Sequence, residues 1–283
     1  MAKAHLRRTK TPIAMKTIYC PTDFSDLSRF ALDYALRLAE ALDAKVHVVH
    51  AYQLPYTSEV MTNSLMDALK DSTAKELQEF LKPLQNGSVP VDGHCEWNSV
   101  TGALRHLTAD NADTMVVMGS HGASGWSELL LGSNAVAVMH TIKVPILIVP
   151  KEAVWPHRGM RWLYATDLHD ERNPEALTWL RGFVRDLQAD LDLAHIQQPG
   201  DANGHADLFL DYASSAFPAS KTHLIAAEKV ESGIYEAVRR SESEGLVLIE
   251  RRHHWLKEAF HNRMTQAVAH HNAYPVLILK EHM

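Results

Sequence analysis

An α/β fold, written as two copies of a five-stranded, doubly wound parallel sheet, is predicted by three features of this 283-residue chain. Short apolar runs alternate with amphipathic stretches along its whole length. The runs are nearly continuous in Val, Ile and Leu, the pattern of strands buried on both faces. The order of runs and stretches in residues 16–150 then recurs in residues 160–283.

The first copy opens with Lys16 to Asp23, a β-rich run ending in a polar turn. Ser25 to Leu42 places Leu27, Phe30, Ala31, Tyr34, Ala35, Leu38 and Leu42 on one helical face. Lys45 to Ala51 is a second strand and Ser58 to Leu84 a long helix. Pro90 to Trp97 is a third strand, Thr101 to Asp110 a short helix, and Asp113 to Gly119 a fourth strand. A glycine-rich loop leads into a helix from Ser133 to Thr141, and Val144 to Val149 closes the copy.

In the second copy Arg161 to Asp167 echoes the first strand, Glu171 to Leu187 is a helix, and Leu191 to Ile196 echoes Lys45 to Ala51, with His195 matching His50. Lys221 to Ala227 is strand-like, Ile234 to Arg240 helical, Gly245 to Glu250 echoes the fourth strand, and Tyr274 to Leu279 the fifth. The offset between matching strands falls from 144 (161 against 17) to 130 (274 against 144), so the second copy is 14 residues shorter. The domains read as 16–150 and 160–283, joined by a linker at 151–159 and preceded by a flexible basic tail at 1–15.

Composition excludes several classes. Acidic residues outnumber Lys plus Arg in both halves and the net charge is -6, which disfavours a nucleic-acid partner. No apolar run reaches the roughly 18 residues of a membrane span, so no membrane partner is expected. The basic tail lacks a signal-peptide core, which makes the cytoplasm the expected compartment. Cys20 and Cys95 form no CxxC pair, and Cys20 reads as a buried small side chain. His253, His254, His261, His270 and His271 crowd the end of the chain, but adjacent histidines diverge on a helix, and no metal ligand is assigned.

The chemistry concentrates in one stretch. Gly119 and Gly122 close a strand; nine residues later Gly132 and Ser133 open a helix. Glycines let backbone N–H groups approach an anion, and a helix N-terminus adds free N–H groups and a positive dipole end. Ser133 suits a helix cap or a hydroxyl donor to phosphate. Asp23 lies on the same sheet edge, where a carboxylate accepts from a ribose hydroxyl or a base amine; it equally suits the cap of the first helix. The backbone near His50 and Ala51 is placed to read the edge of a base. These features suit an anion site such as a nucleotide phosphate, and equally turn chemistry in which Gly132 and Ser133 only start the helix. GxxxxGK[ST] is absent and no GxGxxG follows the first strand, so neither the P-loop nor the dinucleotide fingerprint applies.

The segment Pro21-Thr22-Asp23-Phe24-Ser25, the G-x2-G-x9-G-S spacing at Gly119, Gly122, Gly132 and Ser133, and the closing strand from Val144-Pro145 to Pro150 together resemble the universal stress protein family in its tandem two-domain form. The resemblance implies an adenine nucleotide alpha hydrolase-like fold and a stress-response module that binds ATP or AMP, with or without Mg2+. Pro21, Thr22 and Asp23 would hold the adenosine, and the backbone of Ala51 would face adenine. Met118, Gly119, His121 and Gly122 would line the ribose and phosphates; Gly132, Ser133 and Asn134 would grip the phosphate chain. ATP-binding members often carry a hydroxyl residue where this chain has Ala135. Domains of the family pair through the last strand, which implies the same pairing within this chain and leaves room for a homodimer.

The second copy departs further. Glu250-Arg251-Arg252-His253 stands in place of Gly119 to Gly122, and Asn262-Arg263 in place of Gly132-Ser133; only Asp167 keeps its position. A structural role is therefore expected of it. No catalytic residue is assigned. Two other readings stay open: a slow ATPase or self-phosphorylating enzyme with Ser124 or Ser133 as acceptor, and an interaction scaffold that binds no nucleotide.

Overall fold

A computed structural model describes residues 15–53, 63–109, 113–120, 132–168, 174–201, 205–250 and 274–280. The first half runs β1 (Thr17–Pro21), α1 (Asp26–Leu42), β2 (Lys45–Tyr52), α2 (Asn63–Leu81), β3 (Val91–Trp97), α3 (Val100–Thr108), β4 (Thr114–Gly119), α4 (Ser133–Thr141) and β5 (Ile146–Val149). The second runs β6 (Arg161–Thr166), α5 (Pro174–Asp186), β7 (Asp190–Gln197), α6 (His205–Ala216), β8 (Thr222–Ala226), α7 (Val230–Ser241), β9 (Gly245–Glu250) and β10 (Val276–Lys280).

All ten strands form one sheet in the order β3-β2-β1-β4-β5-β10-β9-β6-β7-β8. Each half therefore has the same internal order, third-second-first-fourth-fifth, and its strands are parallel. The halves meet through β5 and β10, which pair antiparallel with Leu147 opposite Leu277. Antiparallel pairing sends the carboxyl edges of the two halves to opposite sides of the sheet.

Helices cover both faces. On one face α1, α2, α5 and α6 bury Tyr34, Leu38, Phe80, Trp179, Leu180 and Phe209 against the strands. On the other, α3, α4 and α7 bury Leu104, Val138, Met139, Ile234 and Ala237. Each apolar layer continues across the β5–β10 seam. Cys20 is fully buried in β1, and burial pushes its thiol up to about 12, so it behaves as packing.

Several boundaries differ from the sequence pattern for physical reasons. The α-helical part of α2 ends at Leu81 and tightens into a 3-10 turn at Lys82–Leu84, because Pro83 lacks an N–H. Helix α7 starts at Val230, four residues before the expected Ile234. Gly233 is there because α7 crosses β7 closely: a Cβ on it would meet Ile196 Cγ2 at 2.4 Å. Helix α6 falls where periodicity marks no element, since Phe209 and Ala213 are buried while Leu208 and Leu210 are exposed. The expected starts of α2 at Ser58 and α5 at Glu171 lie outside the described residues.

Residues 151–159 strap the seam. Trp155 packs on Phe30 with ring centroids 4.6 Å apart, and the Arg37 guanidinium lies 4.4 Å from the Trp155 ring centroid. His157 Nε2 pairs with Glu244 Oε1 at 3.0 Å, and the Glu244 hydrogen bond holds the His157 pKa above its usual 6.5. A raised histidine pKa stabilises the fold fully below the unfolded value and loses that contribution as pH rises through the folded value. His157→Gln should therefore lower stability at pH values below 6.5 and converge on wild type at alkaline pH, read from urea midpoints across pH; a pH-independent difference would show that the pair does not form.

Candidate functional site

The strand order of the first half reverses between β1 and β4, which opens a crevice at their carboxyl ends. Pro21, Thr22 and Asp23 leave β1 at this edge, Met118 and Gly119 end β4 beside it, and α4 begins there.

The turn after β1 is tied down by its own side chains. Thr22 N–H donates to the Val49 carbonyl at 2.9 Å. Buried Thr22 Oγ1 accepts from Phe24 N–H at 3.0 Å and pairs with Ser28 Oγ at 2.9 Å. These bonds hold Phe24 in the left-handed region, φ 63, and its ring stacks on His50 with centroids 4.3 Å apart. His50 Nδ1 donates to the Thr22 carbonyl at 2.9 Å, since a carbonyl only accepts. Phe24 and His50 thus form the wall of the turn; the stacking of the two rings is not visible in the sequence.

Asp23 is exposed, and its Oδ1 accepts from Ser25 N–H at 3.2 Å and from Ser25 Oγ at 2.5 Å. Ser25, not Asp23, caps α1: its Oγ accepts from Ser28 N–H at 3.2 Å. The carboxylate is held at the crevice by the cap without being the cap.

On the β2 side the ladder with β1 stops at Pro21 opposite Val49. Ala51 lies two residues beyond, paired to Glu96 of β3 on its other flank, so β2 runs past the end of the β1 ladder.

Across the crevice, Ser120 N–H donates to the Val149 carbonyl at 3.2 Å and Gly132 N–H to the Ser120 carbonyl at 2.8 Å. The second bond clamps the start of α4 to the end of β4. Gly132 is the N-cap and offers no side-chain bond, so Ser133 is the first helical residue rather than the cap. The first intrahelical bond, Val136 N–H to the Gly132 carbonyl, leaves the amides of Ser133, Asn134 and Ala135 without helical partners. Ser133 and Asn134 are exposed. His121 and Gly122 lie outside the described residues, as do Arg251, Arg252, His253, Asn262 and Arg263 of the second copy.

The second half repeats the turn but not the glycines. Leu168 N–H donates to Thr166 Oγ1 at 3.0 Å, Leu168 has φ 66, and His195 Nδ1 donates to the Thr166 carbonyl at 3.0 Å. At the end of β9, where β4 has Gly119, Glu250 accepts from Lys280 Nζ of β10 and meets His140 Nδ1 of α4 at 3.0 Å. Lys280 also donates to the Met139 carbonyl in the last turn of α4. Burial lowers the Lys280 pKa, with Glu250 opposing that shift.

Residues 15–150 match the model of the universal stress protein family. A universal stress protein A homolog of Pasteurella multocida is 31% identical over 142 residues, spanning 48% of this chain and 96% of that protein. A universal stress protein of Methanocaldococcus jannaschii is 26% identical over 140 residues, 48% of this chain and 82% of its own length. Among solved structures, a universal stress protein from Archaeoglobus fulgidus aligns with a TM-score of 0.70 at 19% identity, covering 95% of this chain and 97% of that one, and so shares the two-half fold. No helix among the described residues is long and apolar enough to cross a membrane.

The cap assignment predicts that Ser25→Ala costs about 1 kcal/mol of stability, whereas Asp23→Ala costs about half that or less. Denaturant titration of the two variants checks this; an equal loss would return the capping role to Asp23.

Proposed function

The chain belongs to the universal stress protein family, and on that premise we propose that its first half binds an adenine nucleotide, ATP or AMP, while its second half serves as a structural partner. The reading carries the stress-response role of the family as that of a binding and signalling module.

The observation that carries it is the start of α4, whose first-turn amides have no helical partners. A glycine cap leaves three first-turn amides facing the carboxyl edge, beside the dipole end that favours phosphate. Ser133 adds a hydroxyl and Asn134 an amide at the same end. Asp23, across the crevice, is placed for the ribose, and the backbone at Ala51 for adenine. Pro21 and Thr22 shape the floor between them; Met118, Gly119, His121 and Gly122 complete the lining in this reading. Mg2+ would accompany the phosphates of ATP.

Binding is favoured over turnover. Residues 119–134 contain no Lys or Arg, so the loop brings no side-chain cation to a transferring phosphoryl group. Glu250 supports the different role of the second half: a carboxylate stands where the first half has glycine, and it is spent on the junction. That junction grips the last turn of α4, so a phosphate bound at one end of the helix acts on the same rigid element that the second half holds at the other. We infer that the pairing of the halves through β5 and β10 is what makes the module a unit in solution, with a further homodimer open to it.

Calorimetric titration of ATP and AMP tests the reading. One nucleotide per chain is expected, and Asp23→Ala should weaken it about tenfold, the cost of a charged hydrogen bond. Absence of binding heat with both nucleotides, or affinity unchanged in Asp23→Ala, would count against the site.

A further inference from the structure

We propose that the second half carries a metal site of its own: a divalent transition-metal ion of the zinc class, held by His195, Asp201 and His205 at the carboxyl end of β7. One ligand atom from each residue lies within 4.8 Å of the others.

His195 is the strongest element. It is 5% exposed. Its Nδ1 must donate to the Thr166 carbonyl, so the neutral ring carries its lone pair on Nε2. That Nε2 is buried and has no hydrogen-bond partner among the described residues. A buried acceptor without a donor is costly, and a cation satisfies it. A backbone carbonyl on one ring nitrogen with the other left open is the arrangement that orients a metal-binding imidazole.

The other two ligands converge on the same place. His205, the first residue of α6, has a buried Nδ1 that likewise has no hydrogen-bond partner among the described residues. Asp201 Oδ2 lies 4.0 Å from it and accepts from Gln198 N–H at 2.7 Å, which orients the carboxylate. Gly200, at φ 99, turns the chain after β7 so that Asp201 comes back toward the strand end. Two neutral imidazoles and one carboxylate suit Zn2+ or Co2+ with a fourth position for water. Tetrahedral ligands at about 2.0–2.1 Å from the ion stand about 3.3 Å apart. Loading therefore draws the three atoms inward, and Asp201 and His205, both partly exposed, have room to rotate.

The first half sets the contrast. His50 makes the same bond to the Thr22 carbonyl, but its ring is stacked on Phe24 at 4.3 Å. His195 instead has His205 and Phe209 as ring neighbours, at 5.8 and 5.7 Å. The same histidine position serves packing in one half and offers a lone pair in the other.

The test uses the untagged full-length chain, stripped with chelator and dialysed against Zn2+ or Co2+, with bound metal counted by elemental analysis. One ion per chain is expected, and Co2+ should give the visible bands of a tetrahedral site. His205→Ala and Asp201→Asn, at partly exposed positions, should abolish those bands and weaken uptake on the order of a hundredfold. Circular dichroism confirms that both variants are folded. No uptake by wild type, or uptake by both variants equal to wild type, overturns the proposal; the second result places the ion on other histidines.

Discussion

The rest of the structure depends on a pair of edge strands that cover each other. In each half the fifth strand ends the parallel order, and Ile146, Leu147, Ile148 and Val149 are no more than 4% exposed. An uncovered edge of that composition presents unpaired backbone groups on an apolar surface, which invites aggregation. Pairing β5 with β10 removes both edges at once and lets each helical layer continue across the seam. Because the pair is antiparallel, the end of β10 arrives at the last turn of α4. Lys280 and Glu250 therefore meet the Met139 carbonyl and His140, a cation at a helix C-terminus. Burying such a pair is costly in desolvation, and its geometry ties register to the identity of the two halves.

The two halves spend the same backbone frame differently. Thr22 and Thr166 accept from the residue two positions on, Phe24 and Leu168 adopt left-handed backbone, and His50 and His195 cap the turn through Nδ1. What distinguishes the halves is what fills the frame. The first keeps glycines and first-turn amides without helical partners on α4; the second substitutes Glu250 and brings His195 near Asp201 and His205. Unequal use of one strand order gives a single chain two chemically different edges, on opposite sides of one sheet.

Much of this was legible in the residues. The order of elements along the chain and the repeat follow from apolar runs whose period and sequence recur, and Asp23, Gly119, Gly132 and Ser133 announce themselves by position at strand and helix ends. Other features depend on contacts that no local pattern encodes. Ser25 and Asp23 are both good caps, and only the hydrogen bond to Ser28 chooses between them. Helix α6 has a short apolar stripe with Leu208 and Leu210 facing outward, so periodicity missed it. The His195–Asp201–His205 group straddles that unmarked stretch and has no tight ligand spacing, so no sequence pattern brings the three residues together. The place of Gly233 inside α7 is explained only by the closeness of Ile196.

A crystal structure of the full chain grown with ATP would locate the nucleotide outright. One nucleotide per chain is expected in the first half, with adenosine between Asp23 and Ala51 and phosphate oxygens on the amides of Ser133 and Asn134. Nucleotide lodged beside Glu250 and Thr166, or a first-half crevice filled by residues of the 121–131 loop with ATP in excess, would contradict the first-half site.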